Sequence, residues 1–435
     1  SFYFGSRGPS LASFLGRTLG EDSVSGVAYL DWPPAAQAFP AEAAEAEAAV
    51  RSALDRFASE AATVKAFGKR WIANSCRSFL LAERLVGLRP TMAPIVVAAS
   101  GPSLGRALEE LAPFRSRFLL FAVSSALAAC RARGFEPDLV VATDGGPWSR
   151  HHLYPLAERR IPLAAPLSGL PSASLFRDLP LLLLNQGFFP ENELTAALAA
   201  SISLGGEATV SGTSLRLASL ATEGPIVAAG LDLASFDIVS HASPNGFDAL
   251  IRSGEGRQRP VETAIFARER PAAPDLLACG PWRSSRTLAL YASSLASEAS
   301  GNRGRLFRLC PSPLALKGFQ PLAKGEIGAL FQIGIARPEP LFDPLPLIGE
   351  EARRGLLAQA LEGWREEALR ASVALASGEL PASGKARELF RSIDLPDWAA
   401  ARRAVLKGES PEPVRSRLEK ATLDFIDELG RRLLA

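Results

Sequence analysis

Short apolar runs alternate with helical patterns in the middle of this chain. Three of these runs are each followed directly by small polar residues or a carboxylate, and a helical pattern or a break leads to the next run. The three runs are residues 95–99, 118–123 and 138–142. Apolar runs of this length, separated by helical segments, predict consecutive βαβ units and therefore a parallel sheet with right-handed crossovers.

The first run ends in a turn suited to anion binding. Ser100, Gly101, Pro102 and Ser103 follow it, and leucines recur at helical spacing from Leu104 onward. A strand, a tight turn and a helix N-terminus together direct backbone N–H groups toward a bound anion. Gly101 allows a ligand to approach the backbone closely, and Ser103 can cap the helix or donate to a phosphate oxygen. An ordinary strand-to-helix turn explains the same residues equally well.

The next two strand ends carry further candidate nucleotide-binding side chains. Ser124 and Ser125 follow the second run, and Asp144 follows the third. Ligands of open α/β sheets bind outside the carboxyl ends of the strands. We therefore expect these side chains to line one pocket, in which Asp144 bonds a ribose or sugar hydroxyl. A capping or turn role is the alternative for this aspartate.

Similar features recur further along the chain. Thr209, Ser211 and Thr213 precede a helical pattern, and the apolar run 225–230 is followed by Asp232. The three hydroxyls are candidate nucleotide ligands, although helix capping explains them as well. Asp232 is a candidate catalytic carboxylate, with a buried structural role as the alternative.

His241 is the candidate general base. It is one of three histidines and lies within residues 240–285, a Ser-, Pro-, Gly- and Arg-rich stretch that predicts a long irregular loop. The ordinary pKa of an imidazole suits proton transfer near neutral pH, whereas a structural or exposed histidine is the alternative. His151 and His152 follow the Asp144 strand end, without metal-ligand spacing.

The flanking regions predict two more blocks. A helix over residues 41–62 and a second helix that opens at Thr63 belong to a small mixed α/β block. From about residue 345 to the end, apolar positions recur at helical spacing and predict an all-helical domain. We therefore expect an α/β fold of three domains. Their predicted bounds are 1–90 for the N-terminal block, 91–325 for a Rossmann-like central domain and 326–435 for the helical C-terminal domain.

Composition narrows the function classes. The chain has 435 residues, of which 47% are hydrophobic and 22% charged, as in a folded soluble protein. The net charge of +2 supports no strong electrostatic claim about nucleic acid or membranes. The four widely spaced cysteines favour a reducing compartment, and we expect a cytoplasmic protein. No apolar run reaches the roughly 20 residues of a membrane span. The start lacks a signal-peptide layout and an initiator Met, which indicates a trimmed or truncated beginning. P-loop, thiol-redox and α/β-hydrolase motifs are missing.

The order of the strand-end motifs resembles that of the motility-associated glycosyltransferases, bacterial proteins that glycosylate flagellin. The resemblance rests on five stretches, namely residues 99–104, 134–144, 205–206, 230–234 and 240–242. An upstream run from Thr63 to Asn74 looks like the segment that precedes the central domain of this family. The resemblance covers most of residues 60–310.

This resemblance implies a central domain similar to that of CMP-dependent bacterial sialyltransferases, which also carry a Gly-Pro-Ser-Leu turn. It implies transfer of a nonulosonic acid, of the pseudaminic or legionaminic type, from a CMP-sugar to serine or threonine of flagellin. Flagellin and the CMP-sugar are then the expected partners, and no tightly bound cofactor or metal is expected. Gly101, Pro102 and Ser103 would surround the phosphate, and His241 and Asp232 would carry the catalysis.

Two positions depart from the family pattern. The family usually has Gln where Leu231 stands and an aromatic residue where Ser235 stands. These departures indicate an altered donor or an inactive site, so a non-catalytic protein that binds flagellin or a chaperone is one alternative.

An ATP-dependent enzyme is the other alternative. The wider family includes archaeal 6-hydroxymethylpterin diphosphokinases, which use ATP and Mg²⁺ and carry a second acidic residue near the strand-end aspartate. Here Gly145 and Gly146 follow Asp144, and this difference argues against the pterin reaction.

Overall fold

The computed structural model describes residues 14–15, 29–30, 32–156, 160–169, 177, 179–198, 201–207, 209–269, 277–302, 304–331 and 341–434. The chain divides into two compact units, one comprising residues 74–353 and the other residues 1–73 together with 354–435. This division differs from the predicted boundaries near residues 90 and 325, because the first and last parts of the chain fall in one unit. The three predicted domains, 1–90, 91–325 and 326–435, stay a prediction.

The larger unit contains, in the described residues, a parallel sheet of nine strands in the order β13-β12-β8-β2-β3-β4-β5-β6-β7. These strands are β2 (Ile95–Ala98), β3 (Leu119–Val123), β4 (Leu139–Val141), β5 (Leu163–Pro166), β6 (Leu181–Asn185), β7 (Ile202–Ser203), β8 (Ile226–Ala229), β12 (Leu306–Leu309) and β13 (Gln320–Leu322). The sheet and its flanking helices confirm the predicted α/β, Rossmann-like class.

Five short strands lie outside this sheet. Strands β1 (Val86–Leu88) and β14 (Phe342–Pro344) form an antiparallel pair. A three-stranded antiparallel sheet contains β9 (Ser235–Phe236), β10 (Leu277–Cys279) and β11 (Trp282–Ser284). This second sheet begins six residues after the end of β8, so it follows the carboxyl edge of the main sheet in the chain.

Helices connect the strands and cover both faces of the sheet. Those within the larger unit are α3 (Leu104–Leu111), α4 (Leu127–Ala132), α5 (Arg150–Leu153), α6 (Glu191–Leu198), α7 (Val210–Ala221), α8 (Asp248–Ser253), α9 (Val261–Glu269), α10 (Arg286–Ala299) and α11 (Ile327–Leu330). The expectation of one long irregular loop over residues 240–285 was wrong, because this stretch contains α8, α9, β10 and β11.

Alternating side chains of the central strands build two cores. Ile95 and Val97 of β2 face one core, which also contains Leu215 and Ala218 of α7. The neighbouring residues of β2 face a second core, which contains Leu104, Leu108 and Leu111 of α3. Successive side chains of a strand point to opposite faces, so a continuous apolar run is the pattern of a strand buried on both sides.

The second unit is helical in its described residues. Its helices are α1 (Pro33–Ala38), most of α2 (Pro40–Leu81), nearly all of α12 (Glu350–Ala376), α13 (Gly384–Ile393), α14 (Leu395–Lys407) and α15 (Glu412–Leu434). The helical C-terminal region is therefore confirmed, with its largest buried side chains at Trp364 and Phe390. The two helices predicted on either side of Thr63 are one continuous helix, α2. No helix in the described part of the chain is long and apolar enough to cross a membrane.

Candidate functional site

The strand ends singled out in the sequence are neighbours in the sheet. Strand β3 lies between β2 and β4, so the residues after these strands share the carboxyl edge. The chain adds strands on one side of β2 as far as β7 and then returns to place β8 on its other side. Such a reversal of strand order is the place where ligands bind in doubly wound sheets. The glycine turn after β2 and Asp232 after β8 stand on the two sides of this reversal.

Asp232 fills the space beneath the glycine turn. Its Oδ2 accepts a hydrogen bond from the backbone N–H of Ser103 at 2.8 Å, and its Oδ1 accepts one from Ser103 Oγ at 2.8 Å. The backbone N–H of Gly101 donates to the carbonyl of Gly230 at 2.8 Å. The backbone N–H and the hydroxyl of Ser103, which the sequence analysis assigned to a phosphate, therefore both bind the carboxylate of Asp232.

This arrangement revises the role of Asp232. The residue is 1% exposed and both of its carboxylate oxygens bond Ser103, so it positions the turn and does not face a substrate as a catalytic group would. Ser103 likewise binds Asp232 with its hydroxyl and makes no side-chain cap on α3. The carboxylate lies at the N-terminus of α3, where the helix dipole favours negative charge.

A buried arginine that sequence reasoning missed supports the same loop. Arg308 of β12 donates to the carbonyls of Leu231 and Asp232 at 2.8 and 3.1 Å, and to Ser312 Oγ at 2.9 Å. Burial raises the pKa of Asp232, while the hydrogen bonds from Ser103 and the charge of Arg308 oppose the rise. An arginine inside a strand pattern gives no signal of this role, because only the fold brings β12 beside β8.

The three histidines of the chain come together near the end of β4. The backbone N–H of Ala242 donates to the carbonyl of Ser100 at 2.8 Å, which places His241 beside the glycine turn. His151 and His152 both pack on Phe247, with ring centroids 5.9 and 4.6 Å apart. His152 is in turn close enough to His241 and Asp144 for their charges to affect its titration.

The histidines differ in their surroundings. His241 is exposed, and its Nδ1 lies 2.9 Å from Ser240 Oγ. His152 is half-buried, and its Nδ1 has no hydrogen-bond partner among the described residues. Burial, with the nearby charges of His241 and His151, lowers the pKa of His152 to about 4 against the opposing effect of Asp144. His152 is therefore neutral at physiological pH.

Asp144 is exposed at the end of β4, and its Oδ1 accepts a hydrogen bond from the backbone N–H of Gly146 at 2.7 Å. The predicted turn role and an accessible carboxylate are thus both present. Position 145 has room only for glycine, because a Cβ would lie 2.1 Å from the carbonyl oxygen of Ser168 and 2.5 Å from Nδ2 of Asn74. That amide of Asn74 donates to the carbonyls of Gly145 and Ser168, so it ties the ends of β4 and β5 together.

A second missed residue, Arg133, lies near the start of α3. Its Nη1 donates to the carbonyls of Ser243 and Ala129 at 3.1 and 3.3 Å. A Cβ placed on Gly105, in the first turn of α3, would lie 2.5 Å from Nη2 of Arg133. A cation beside a helix N-terminus is a suitable surrounding for an anion.

The remaining predicted site residues lie at the same edge with local roles. Ser124 is buried and Ser125 half-buried in a short 3₁₀ turn after β3. Thr209 caps α7 by accepting from the N–H of Gly212 at 3.0 Å, and buried Thr213 donates to the carbonyl of Thr209 at 3.3 Å. Ser211 is half-buried in the first turn of α7.

Two further observations concern metal-binding groups and cavities. The described residues include no group of three or more His, Cys, Asp or Glu side chains placed to hold a metal ion. A cavity of about 250 Å³ lies between α7 and α10, but it is lined mainly by apolar side chains such as Leu215, Leu295 and Phe319 and includes none of the turn residues.

Comparisons with known proteins bear on the fold and on the family resemblance. Residues 73–237, less than half of the chain, match the family model described as 6-hydroxymethylpterin diphosphokinase MptE-like. An uncharacterized protein of Treponema pallidum (strain Nichols) is 30% identical over 257 residues, which are 59% of this chain and 57% of the relative. The structure is similar to that of the MAf glycosyltransferase from Magnetospirillum magneticum AMB-1, with a TM-score of 0.50 and 14% identity over 84% of this chain and 59% of that chain.

These matches confirm the resemblance inferred from the strand-end motifs, and the structural match confirms the fold. The chain spans less than two thirds of the length of both proteins. Their activities therefore do not follow for this chain from similarity alone.

Substitution of Gly101 tests the packing of the turn. A Cβ at this position would lie 2.4 Å from Asp232 Oδ2 and 2.5 Å from the carbonyl oxygen of Gly230. We expect Gly101→Ala to lower the free energy of unfolding by roughly 1–3 kcal/mol, the usual cost of overpacking. Urea unfolding measures the change, and Gly256→Ala is the control because nothing lies within 4 Å of its Cβ position. Equal stability of the two variants would contradict the close packing.

The depressed pKa of His152 predicts acid sensitivity. The unfolded chain protonates this histidine near its ordinary pKa of 6.5, whereas folded His152 stays neutral down to about pH 4. The unfolded state therefore binds more protons in this window, so the contribution of His152 to stability falls as the pH falls from 6.5 to 4.

We expect His152→Gln to reduce the slope of stability against pH in this window. Urea unfolding at several pH values measures the slope, and NMR titration of the imidazole gives the pKa directly. An unchanged slope together with an ordinary pKa would refute the assignment.

Proposed function

We propose that this protein is a glycosyltransferase that uses a CMP-activated nonulosonic acid, of the pseudaminic or legionaminic type, and transfers it to serine or threonine of flagellin. The observation that carries the proposal is the hydrogen bond from Ala242 to Ser100, which holds His241 at the glycine turn on the ligand-binding edge of a Rossmann-like sheet. The sugar, the nucleotide and flagellin come from the family resemblance, and the similar fold of a MAf glycosyltransferase supports the reaction class.

His241 is the proposed general base. Nδ1 of His241 lies 2.9 Å from Ser240 Oγ, and a proton on Nδ1 would make Nε2 the ring nitrogen that accepts the proton of the acceptor hydroxyl. Its exposure leaves the imidazole accessible to an acceptor hydroxyl on a protein surface. Proton transfer by a positioned base contributes typically about 10²- to 10⁴-fold to a rate.

The reaction then needs one bond to break and one to form. The acceptor hydroxyl loses its proton to Nε2 of His241 while its oxygen bonds the anomeric carbon of the sugar. The bond between that carbon and the phosphate oxygen breaks, and its electron pair leaves with CMP. Negative charge therefore develops on the departing phosphate, where positive charge and N–H donors stabilise the transition state.

Arg133 and the first turn of α3 supply this positive charge. The guanidinium of Arg133 lies against Gly105 and is anchored to the carbonyl of Ser243, two residues after His241. Asp232 acts through Ser103 as a positioning residue, because it holds the turn in place without touching the substrate. Asp144, Ser124 and Ser125 line the adjacent strand ends, where ribose hydroxyls would bind.

A second candidate function is an ATP-dependent diphosphokinase, because the matching family model carries the description 6-hydroxymethylpterin diphosphokinase MptE-like. Diphosphoryl transfer from ATP requires carboxylates that hold Mg²⁺ beside the phosphates. The position after Asp144 cannot hold a carboxylate, since Gly145 is packed against Ser168 and Asn74. The glycosyltransferase is therefore the better fit.

The non-catalytic alternative rested on the departures at Leu231 and Ser235. Leu231 is 3% exposed and packs in the core, so the residue at this position contributes its side chain to packing and not to the open edge. Ser235 lies in β9, outside the main sheet. The hydrogen bonds of the glycine turn to Gly230 and Asp232 are present with Leu231 between them, which supports an intact turn in this chain.

A transfer assay with His241→Ala tests the mechanism. We expect wild-type protein to bind CMP and to transfer the sugar to purified flagellin, and the variant to transfer roughly 10²- to 10⁴-fold more slowly. CMP affinity should stay within a factor of two, because the base contacts the acceptor hydroxyl. Binding of ATP with Mg²⁺ but not of CMP would overturn the proposed donor, and unchanged turnover would remove His241 from the mechanism.

Substitution of Arg133 tests donor binding separately. We expect Arg133→Gln to weaken CMP binding about tenfold or more, the worth of a lost hydrogen bond to a charged group, and Arg133→Lys to weaken it less. Calorimetry measures both affinities. Arg117→Gln is the control, since this exposed arginine precedes β3 at the opposite edge of the sheet. Equal affinities of Arg133→Gln and the control would exclude Arg133 from the phosphate site.

A further inference from the structure

Two large aromatic side chains are exposed just beyond Asp144. Trp148 is 58% exposed and Tyr154 is 52% exposed, and both lie in the segment that follows β4 at the carboxyl edge. Folded proteins leave such surface in contact with water at a cost, and an exposed aromatic group at a binding edge marks a contact surface. The proposed mechanism uses neither residue.

The ring of His151 contacts both exposed aromatic side chains. The indole of Trp148 stacks on the imidazole of His151, with ring centroids 5.8 Å apart and an angle of 19° between the planes. His151 meets Tyr154 edge-on at 5.4 Å and packs on Phe247 at 5.9 Å. The rings are therefore supported by one another, and a further flat ring can extend the stack on the exposed indole.

Hydrogen bonds fix the backbone beneath this stack. Buried Ser149 donates from both its N–H and its hydroxyl to the carbonyl of Gly146, at 3.2 and 2.7 Å. The N–H of Gly146 bonds the carboxylate of Asp144, and the N–H of His151 bonds the carbonyl of Trp148. A contact surface held in this way loses little conformational entropy when a ligand binds.

The strand that leads to the stack lies a suitable distance from the strand that leads to the glycine turn. Its strand, β4, is two strands from β2, which bears the glycine turn, and two strand spacings are about 10 Å. This separation is comparable to the distance from the phosphate to the far side of the base in a mononucleotide. Asp144 lies between these ends in the chain path, at the level where a carboxylate bonds ribose.

We propose that Trp148, supported by His151, is the platform on which the base of the donor nucleotide stacks. The assignment rests on the proposed function in one respect, that the ligand is a nucleotide. Every nucleobase has a flat π-face, so the platform contributes affinity while the base edge and the other site residues select cytosine. The ribose hydroxyls then face Asp144, and the phosphate points to Arg133 and the glycine turn.

Variants of Trp148 test the platform in the full chain. Trp148→Ala should weaken CMP binding by roughly 5- to 100-fold, the affinity equivalent of one base–aromatic stack. Trp148→Phe keeps an aromatic face and should weaken it less. Trp32→Ala is the matched control, because Trp32 is 72% exposed and belongs to the other compact unit. Calorimetry with CMP, UMP and ATP–Mg²⁺ gives the affinities, and tryptophan fluorescence reports a base that stacks on the indole.

The outcomes separate this inference from the proposed function. If Trp148→Ala binds CMP with an affinity within twofold of the wild type, the platform is overturned and the donor assignment stands. Binding of ATP but not of CMP, weakened by Trp148→Ala, would overturn the donor and support the platform. Unchanged CMP affinity with weaker binding of the whole CMP-sugar would assign the indole to the sugar ring and overturn the base assignment. No binding of any nucleotide would overturn both.

Discussion

The carboxylate of Asp232 joins the ends of β8 and β2, and the geometry of the proposed site depends on this link. The chain reaches the two strands from opposite directions, so the loops after them diverge and a crevice forms between them. Asp232 closes the bottom of that crevice by accepting two hydrogen bonds from Ser103, and Gly101 has room for no side chain beside it. The negative charge also complements the N-terminus of α3. The glycine turn, which the sequence predicts as an anion site, therefore connects the ends of β2 and β8 through hydrogen bonds to Asp232.

The hydrogen bonds between Ser103 and Asp232 affect where a phosphate could bind at the turn. With Ser103 and Gly101 bonded within the protein, the proposed phosphate site is at the outer side of the turn, where Arg133 lies against the first turn of α3. The segment that carries His241 is attached to the same turn through Ala242 and Ser100. His241, Arg133 and the glycine turn are therefore held relative to one another by the backbone hydrogen bond of Ala242 to Ser100 and the side-chain hydrogen bond of Arg133 to Ser243. A substrate that fits between them would meet groups already in place, which reduces the entropy lost on binding.

Two buried charged residues hold the loops at the carboxyl edge of the sheet. Arg308 donates to the carbonyls of Leu231 and Asp232, so the path of the loop after β8 is held by backbone contacts as well as by the packing of Leu231. Glu191, which is fully buried, accepts from the N–H groups of Ser168 and Gln186 and in the same way fixes the loops after β5 and β6. Buried charges of this kind are costly unless they are hydrogen-bonded, and here each one has partners that stabilise a loop at the carboxyl edge.

The sequence by itself determined the order of strands and helices in the central region and the edge at which their polar ends meet. Continuous apolar runs such as residues 95–99 specify strands buried on both faces, and parallel strands place their carboxyl ends together. The helical C-terminal region was equally visible, because its apolar positions recur with the helical period. Local pattern also suggested Gly101, Asp144 and His241, although their roles in the site stay predictions.

Only the tertiary structure decided which of these groups bond one another. Asp232 and Ser103 are 129 residues apart in the chain, and Arg308 reaches Asp232 from another strand. The gathering of His151 and His152 beside His241, and the exposed stack of Trp148 on His151, equally require the completed fold. The physical reason is that periodicity reports which face of an element is buried, whereas hydrogen bonds and pKa shifts depend on distances between side chains that are remote in sequence.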